Sequence, residues 1–194
     1  MGYALWKKLH DTGADWKTLT VDTVHPNDEG YRIYADVLIH YLMQHQSDAP
    51  SKPHTHLPPP LVKNPFSHGE LADAWTVNAP GWIKETESLV GRYPHRLCSN
   101  TPGETLTYDF TGSVIGLYWL MGPDSGDIEW SIDSGEMHRA SSWDIYALHY
   151  SRANYLILAD NLTQGKHQLH IKVLSEKNNQ SKGTWIRIGA FLVQ

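Results

Sequence analysis

Between residues 47 and 65 the chain carries six of its eleven prolines: Pro50, Pro53, Pro58, Pro59, Pro60 and Pro65. Proline fixes φ and has no backbone N–H, so this density rules out a helix interior or a central strand. Such a stretch runs extended and cannot build a core of its own. It predicts a linker over 47–65 that divides the 194 residues into an N-terminal part, 1–46, and a C-terminal part, 66–194. His54 and His56 in the linker invite a metal reading. With no Cys or acidic residue close by, they read instead as solvated side chains, and no metal site is expected.

The two parts obey different periods. In 1–46, apolar residues recur at helical spacing. Residues 3–10 read as a short helix with Leu5, Trp6 and Leu9 on one side, followed by a polar loop over 11–16 containing Gly13. Residues 27–44 read as an amphipathic helix whose stripe is Ile33, Tyr34, Val37, Leu38, Tyr41 and Leu42. Asn27 is a natural N-cap, and Asp28 and Glu29 complement the positive helix end. In 66–194, alternating or apolar runs over 104–110, 113–121, 127–132, 153–159, 166–174 and 184–193 are separated by turn signals. These signals are Pro102-Gly103, Thr111-Gly112, Gly122-Pro123-Asp124, Asp133-Ser134-Gly135 and Gln164-Gly165. Leu169, Ile171 and Val173 point one way and Gln168, His170 and Lys172 the other, as in an antiparallel strand with one wet face. The fold class that follows is mainly β: an antiparallel β-sandwich of jelly-roll type behind a short helical segment.

Composition narrows the function classes. The net charge of −5 comes without a long run of either sign, and scattered Lys and Arg give no nucleic-acid footprint. No apolar run is long enough to predict a membrane span. The first residues carry no apolar stretch of signal-peptide length, which leaves the compartment open, a secreted or periplasmic parent included. The single Cys98 excludes an intramolecular disulfide and reads as a small buried residue.

One spacing carries chemistry. Asp22 and His25 stand three residues apart, just before the longer helix, in the run Asp22-Thr23-Val24-His25-Pro26-Asn27-Asp28-Glu29-Gly30. A carboxylate accepting from one ring nitrogen fixes the His tautomer and frees the other nitrogen to take a proton. The other reading is a helix-start turn in which both residues merely cap. The D-x-x-H-P-N-x-x-G run resembles the last conserved block of the SGNH (GDSL-type) serine hydrolases, and the resemblance spans residues 3–42. It implies His25 as general base and Asp22 as its orienting partner, in acyl transfer that takes no cofactor. The family's nucleophilic Ser and its oxyanion-hole Gly and Asn lie upstream of this block, where the chain has only 21 residues before Asp22. Pro123-Asp124-Ser125-Gly126 echoes the nucleophile motif only superficially, in a turn of the other part. The expectation is therefore a C-terminal portion of a carbohydrate esterase, inactive by itself, with its helix stripe docking on the sandwich or on another copy.

The segment from Trp119 to Gly135, and the run Leu158-Ala-Asp-Asn-Leu-Thr-Gln-Gly-Lys-His167, resemble galactose-binding-like sandwiches that accompany SGNH modules. That resemblance implies fold more than ligand. Within 141–152, Trp143, Tyr146, His149 and Tyr150 interrupt strand alternation, with Asp144 and Arg152 among them. Exposed aromatics stack on sugar faces while Asp and Arg bond hydroxyls, so these six residues are the candidate glycan contacts. The alternative is that the aromatics anchor the core, as Trp119, Trp130 and Trp185 are expected to do from their strand patterns. The partner implied is a polysaccharide or acylated glycan. A binding sandwich with an inert N-terminal segment is the competing function.

Overall fold

The computed structural model describes residues 2–22, 24–48, 59, 61, 66–86 and 94–194. His54, His56 and most of the proline-rich segment lie outside the described residues. The chain falls into two units, Met1–Pro58 and Pro59–Gln194.

In the first unit, helix α1 (Gly2–Thr12) and helix α2 (Asp28–His45) flank a 3-10 turn at Trp16–Thr18. Helix α1 runs further than the sequence suggests, so the loop over 11–16 shrinks to 13–15. The last turn is held by Lys7 Nζ on Asp11 at 2.7 Å and by the Thr12 hydroxyl, which donates to Lys8 O at 2.7 Å. Gly13 then ends the helix at φ +65°, a left-handed conformation that glycine adopts at little cost. Helix α2 begins where its cap predicts, with the Asn27 side chain accepting from Gly30 N–H at 3.0 Å. Gly30 is there for space, because a Cβ at this position would sit 2.3 Å from Leu19 O. The unit's core is small: Leu5, Leu19, Thr20 and Gly30 are buried. Of the predicted stripe, Ile33 and Tyr34 are half-buried, while Val37, Leu38, Tyr41 and Leu42 are exposed. The helix period is real, but only its first turns are covered.

The second unit is an antiparallel β-sandwich, as the sequence predicts. One sheet orders β2 (Ile83–Glu85), β3 (Arg96–Ser99), β10 (Ile186–Val193), β5 (Ile115–Met121) and β8 (Arg152–Ala159), with β1 (Glu70–Asp73) also on β10. The other orders β4 (Thr105–Gly112), β9 (Gly165–Val173), β6 (Asp127–Ile132) and β7 (His138–Ser141). Leu106, Leu117, Ile128, Leu169, Ile171, Ile188 and Phe191 meet between the sheets, each no more than 2% exposed. The inward and outward sets of β9 are those the alternation gives. Trp119 is core at 2% exposure, whereas Trp130 and Trp185 are half-buried. The structure corrects the sequence at four short strands, β1, β2, β3 and β7, which no run announced. It also corrects Thr111-Gly112, which lies inside β4 rather than in a turn.

Candidate functional site

The loop before α2 is tied at its base. Val21 N–H donates to His25 O at 2.9 Å, Asn27 N–H donates to Leu19 O at 3.0 Å, and Thr20 bridges Pro26. The Asn27 side chain adds a bond from Nδ2 to Thr18 O at 3.0 Å, so one residue caps the helix and closes the loop. Asp22 and His25 are carried on the resulting tip. Asp22 Oδ1 accepts from the backbone N–H groups of Val24 and His25, both at 2.7 Å. Its Oδ2 lies 2.7 Å from His25 Nδ1. With the proton on Nδ1, the bond makes Nε2 the lone-pair nitrogen. Nε2 has no partner among the described residues, and the His25 side chain is 69% exposed.

The backbone N–H of His25, its imidazole and the N–H of Val24 together bring the Asp22 carboxyl down to about 2. Asp22 therefore stays ionised through the whole range in which an imidazole acts as a base. The structure brings the sequence-predicted pair together, with the Asp22 carboxylate on Nδ1 of an exposed ring.

Ser125 is not a nucleophile. It is fully buried, and its Oγ accepts from Gly122 N–H at 2.8 Å, closing the turn. Burial acts to raise the neighbouring Asp124 carboxyl. The Arg187 guanidinium, bidentate at 2.9 and 2.8 Å, outweighs it and holds the group below the usual range. Cys98 is likewise inert, since burial pushes its thiol up to about 12. Among the described residues, no cluster of three His, Cys, Asp or Glu side chains is arranged to hold a metal.

The segment over 141–152 divides. Trp143 is 8% exposed and belongs to the core between the sheets, so its indole faces are not open to a sugar. This corrects its expected role: the aromatic run is interrupted by one anchor that packs inward. Asp144 caps a 3-10 turn (Ile145–Leu148), accepting from the N–H of Tyr146 at 3.0 Å and of Ala147 at 3.1 Å. Its other oxygen takes Arg152 Nη2, and the Arg152 guanidinium lies 5.6 Å from the Tyr146 ring. Asp144, Tyr146 and Arg152 thus form one cluster, with His149 and Tyr150 exposed beyond it. Sequence reasoning missed Ile145, which is 57% exposed at the head of the same turn and carries no local signal of its own.

No family model and no curated protein sequence matches the chain. Among solved structures, it is similar to a two-domain esterase (CEX) active on acetylated mannans. The TM-score is 0.78 at 14% identity, covering 97% of this chain and 53% of that one. The same esterase co-crystallized with mannopentaose gives 0.76 at 16% identity, over 97% of this chain and 52% of that one. The C-terminal CBM6 of LamC, a laminarinase from Zobellia galactanivorans, overlaps 65% of this chain and 99% of its own. That likeness has 17% identity and a TM-score of 0.45, too low to carry an argument. At these identities the first two likenesses are of fold. The chain spans about half the length of the esterase structures it matches.

Proposed function

We propose that this chain is the C-terminal portion of a carbohydrate esterase of the Ser-His-Asp kind, combining the base of the catalytic site with a glycan-holding sandwich. The observation that carries the reading is the His25–Asp22 pair, bonded through Nδ1 at 2.7 Å with Nε2 unengaged and exposed. In this role His25 Nε2 takes the proton of a serine hydroxyl as its oxygen attacks an acyl carbonyl, then returns it to the departing sugar oxygen. Asp22 holds the tautomer and stabilises the imidazolium. The serine and the oxyanion donors come from outside these 194 residues. Likeness over nearly the whole chain to an esterase described as active on acetylated mannans supports an acetylated polysaccharide as substrate. On the sandwich, Tyr146 and Tyr150 offer exposed rings beside the Asp144–Arg152 pair.

The test is hydrolysis of 4-nitrophenyl acetate by the purified chain and by its His25→Ala variant. The expected rate is that of buffer, equal in both. A substantial rate abolished by the substitution means a nucleophile within the chain or on a second copy, and overturns its placement elsewhere. A substantial rate that survives the substitution removes His25 from the chemistry.

The second reading is a glycan-binding sandwich whose helical segment is inert. It is favoured by Ser125, the one serine in a motif resembling the nucleophile's, being buried in a structural bond. Titration of mannopentaose against wild type and Tyr146→Ala tests the sandwich binding that both readings share. The two separate in the complete esterase, where His25→Ala abolishes ester hydrolysis in the first reading and leaves it unchanged in the second.

A further inference from the structure

Strand β5, Ile115-Gly-Leu-Tyr-Trp-Leu-Met121, is apolar on both faces, although a sandwich commonly leaves the outer face of each sheet to water. Its inward residues Ile115, Leu117 and Trp119 join the core between the sheets. Its outward residues belong to a second apolar surface, which the register sets in two rows. Leu71, Leu192, Gly116 and Ile157 stand opposite one another across β1, β10, β5 and β8. Asp73, Ala190, Tyr118 and Tyr155 do the same one step along. Residues two apart on a strand share a face, so both rows lie on the outer face of the larger sheet. None of these eight belongs to the core cluster, and Leu71 and Tyr155 are 61% and 65% exposed.

Leu71 lines two hollows on this face. One, of about 210 Å³, is mainly apolar and is shared with Phe66, Val114, Ile157 and Leu192. Val114 is buried there without joining the core. Phe66 has a left-handed backbone, φ +51°, which is an outlier for so bulky a residue. Its carbonyl accepts from Gly69 N–H at 3.2 Å, and His68 N–H donates to Gln194 Oε1 at 3.2 Å, which fastens this turn to the residue after β10. Backbone strain held in this way gathers at ligand clamps. The other hollow, of about 150 Å³, is lined by Asp73, His95 and Tyr118. His95 Nδ1 lies 3.6 Å from Asp73 Oδ2, and the His95 ring packs on Trp75 with centroids 4.8 Å apart. Both polar side chains are about half exposed.

We propose that this face binds O-acylated sugar residues of a neutral polysaccharide. The sugar lies along Tyr118 and Tyr155 with hydroxyls toward Asp73 and His95, and its ester acyl group enters the hollow between Phe66, Leu71, Ile157 and Leu192. Tyrosines offer apolar rings to the C–H face of a pyranose, and carboxylate and imidazole take its hydroxyls. At about 3.3 Å per residue the two rows lie about 7 Å apart, comparable to the reach from a sugar ring to the methyl of an ester on it. A bare hydroxyl in the apolar hollow loses its water without a partner, whereas an acyl methyl gains by burial. Asp73 is the one charged member of the rows and Glu70 also lines the apolar hollow, so a polyanion is disfavoured. The inference rests on the reading of an acetylated polysaccharide as substrate. It adds that the sandwich itself tells ester-bearing sugars from bare ones, apart from the tyrosine loop.

The experiment is backbone-amide NMR of the full chain carrying His25→Ala, so that no ester is consumed. The probes are acetylated glucomannan and acetylated xylan oligosaccharides, each beside its alkali-deacetylated form. Saturating shifts are expected at 66–73, 114–118, 155–157 and 190–193, with an acetylated form bound about three- to tenfold tighter than its bare form. Leu71→Thr with Ile157→Thr keeps strand-forming residues in place and should bring that ratio to within about twofold of one, with the amides of 165–173 unmoved. Tyr155→Ala should weaken both forms alike. Equal binding of acetylated and bare forms by the unsubstituted face overturns acyl recognition and leaves a glycan-holding sandwich. Shifts confined to 141–152 overturn the face and leave the loop reading standing. Silence with all four probes overturns the inference together with the glycan-holding part of the proposed function, whereas the role of His25 stands or falls on ester hydrolysis.

Discussion

Among the described residues, three His–Asp pairs are hydrogen-bonded, His45 Nδ1 on Asp48 at 2.6 Å being one, and the other two, at His25 and His167, are held in opposite ways. At His25 the carboxylate engages Nδ1 alone, and the side chain is 69% exposed. At His167 the carboxylate engages Nδ1, a backbone carbonyl engages Nε2, and the side chain is 10% exposed, beside the Phe110 ring. The difference teaches that a His–Asp contact does not by itself mark a base. What the second nitrogen does decides it: free, it can accept a proton; donating to a carbonyl, it is a clamp. The clamp also ties the turn at Asp133 to the β8–β9 connection, two segments of the sandwich, whereas the His25 pair ties only its own loop.

The comparison breaks first where the cores differ. Leu169→Ala, two residues beyond the clamp and fully buried, should cost the sandwich about 2–5 kcal/mol in thermal or denaturant unfolding. Leu38→Ala on the exposed face of α2 should stay within about 0.5 kcal/mol. Gly30→Ala should come next. Its Cβ meets the Leu19 carbonyl and must displace the loop that presents His25, at about 1–3 kcal/mol, with loss of amide protection at 19–31 and none in the sandwich. Asn27→Ala should cost the first unit about 1 kcal/mol by opening the α2 cap, read as fraying of 28–31 in hydrogen exchange.

The pH dependence sharpens the contrast with a smaller effect. The Asp133 carboxylate and the Thr163 carbonyl raise the His167 pKa above its usual value. Its contribution is therefore fully present below about pH 6.5 and is lost as pH rises through the raised value. Asp22 behaves inversely. With its carboxyl lowered to about 2, its contribution is present above the unfolded value near 3.9 and disappears as pH falls toward about 2. Sandwich melting followed from pH 5 to 9 should decline on the alkaline side in wild type, and His167→Gln should flatten that limb. A wild-type limb already flat would remove the clamp.

Legibility followed the range of the interactions. Helix α2 was readable because its cap, its first-turn acids and its stripe are all local. The His25–Asp22 pair was readable because its members are three residues apart. Strand β9 was readable because nine residues are enough to show alternation. Strands β1, β2, β3 and β7 have only three or four residues each, too few for a period. Strand β3 also buries Arg96, with its charge met by Glu85 at 2.9 Å across the ladder, so its pattern looks polar where its environment is not. The His167–Asp133 clamp joins residues 34 apart, and only sheet register brings them together. Trp143 could not be assigned from sequence because an indole flanked by polar residues reads the same whether it packs inward or outward.

The way Asp22 is anchored has one more consequence. Two of its three bonds come from main-chain N–H groups, which persist whatever side chain stands at position 25. Removing the imidazole therefore leaves an oriented anionic socket open to solvent rather than a collapsed loop. Free imidazole added to a His25→Ala variant would meet that carboxylate already in place. In a complete site, chemical rescue by a diffusible base becomes the natural measure of how much of the work belongs to the ring and how much to the tether.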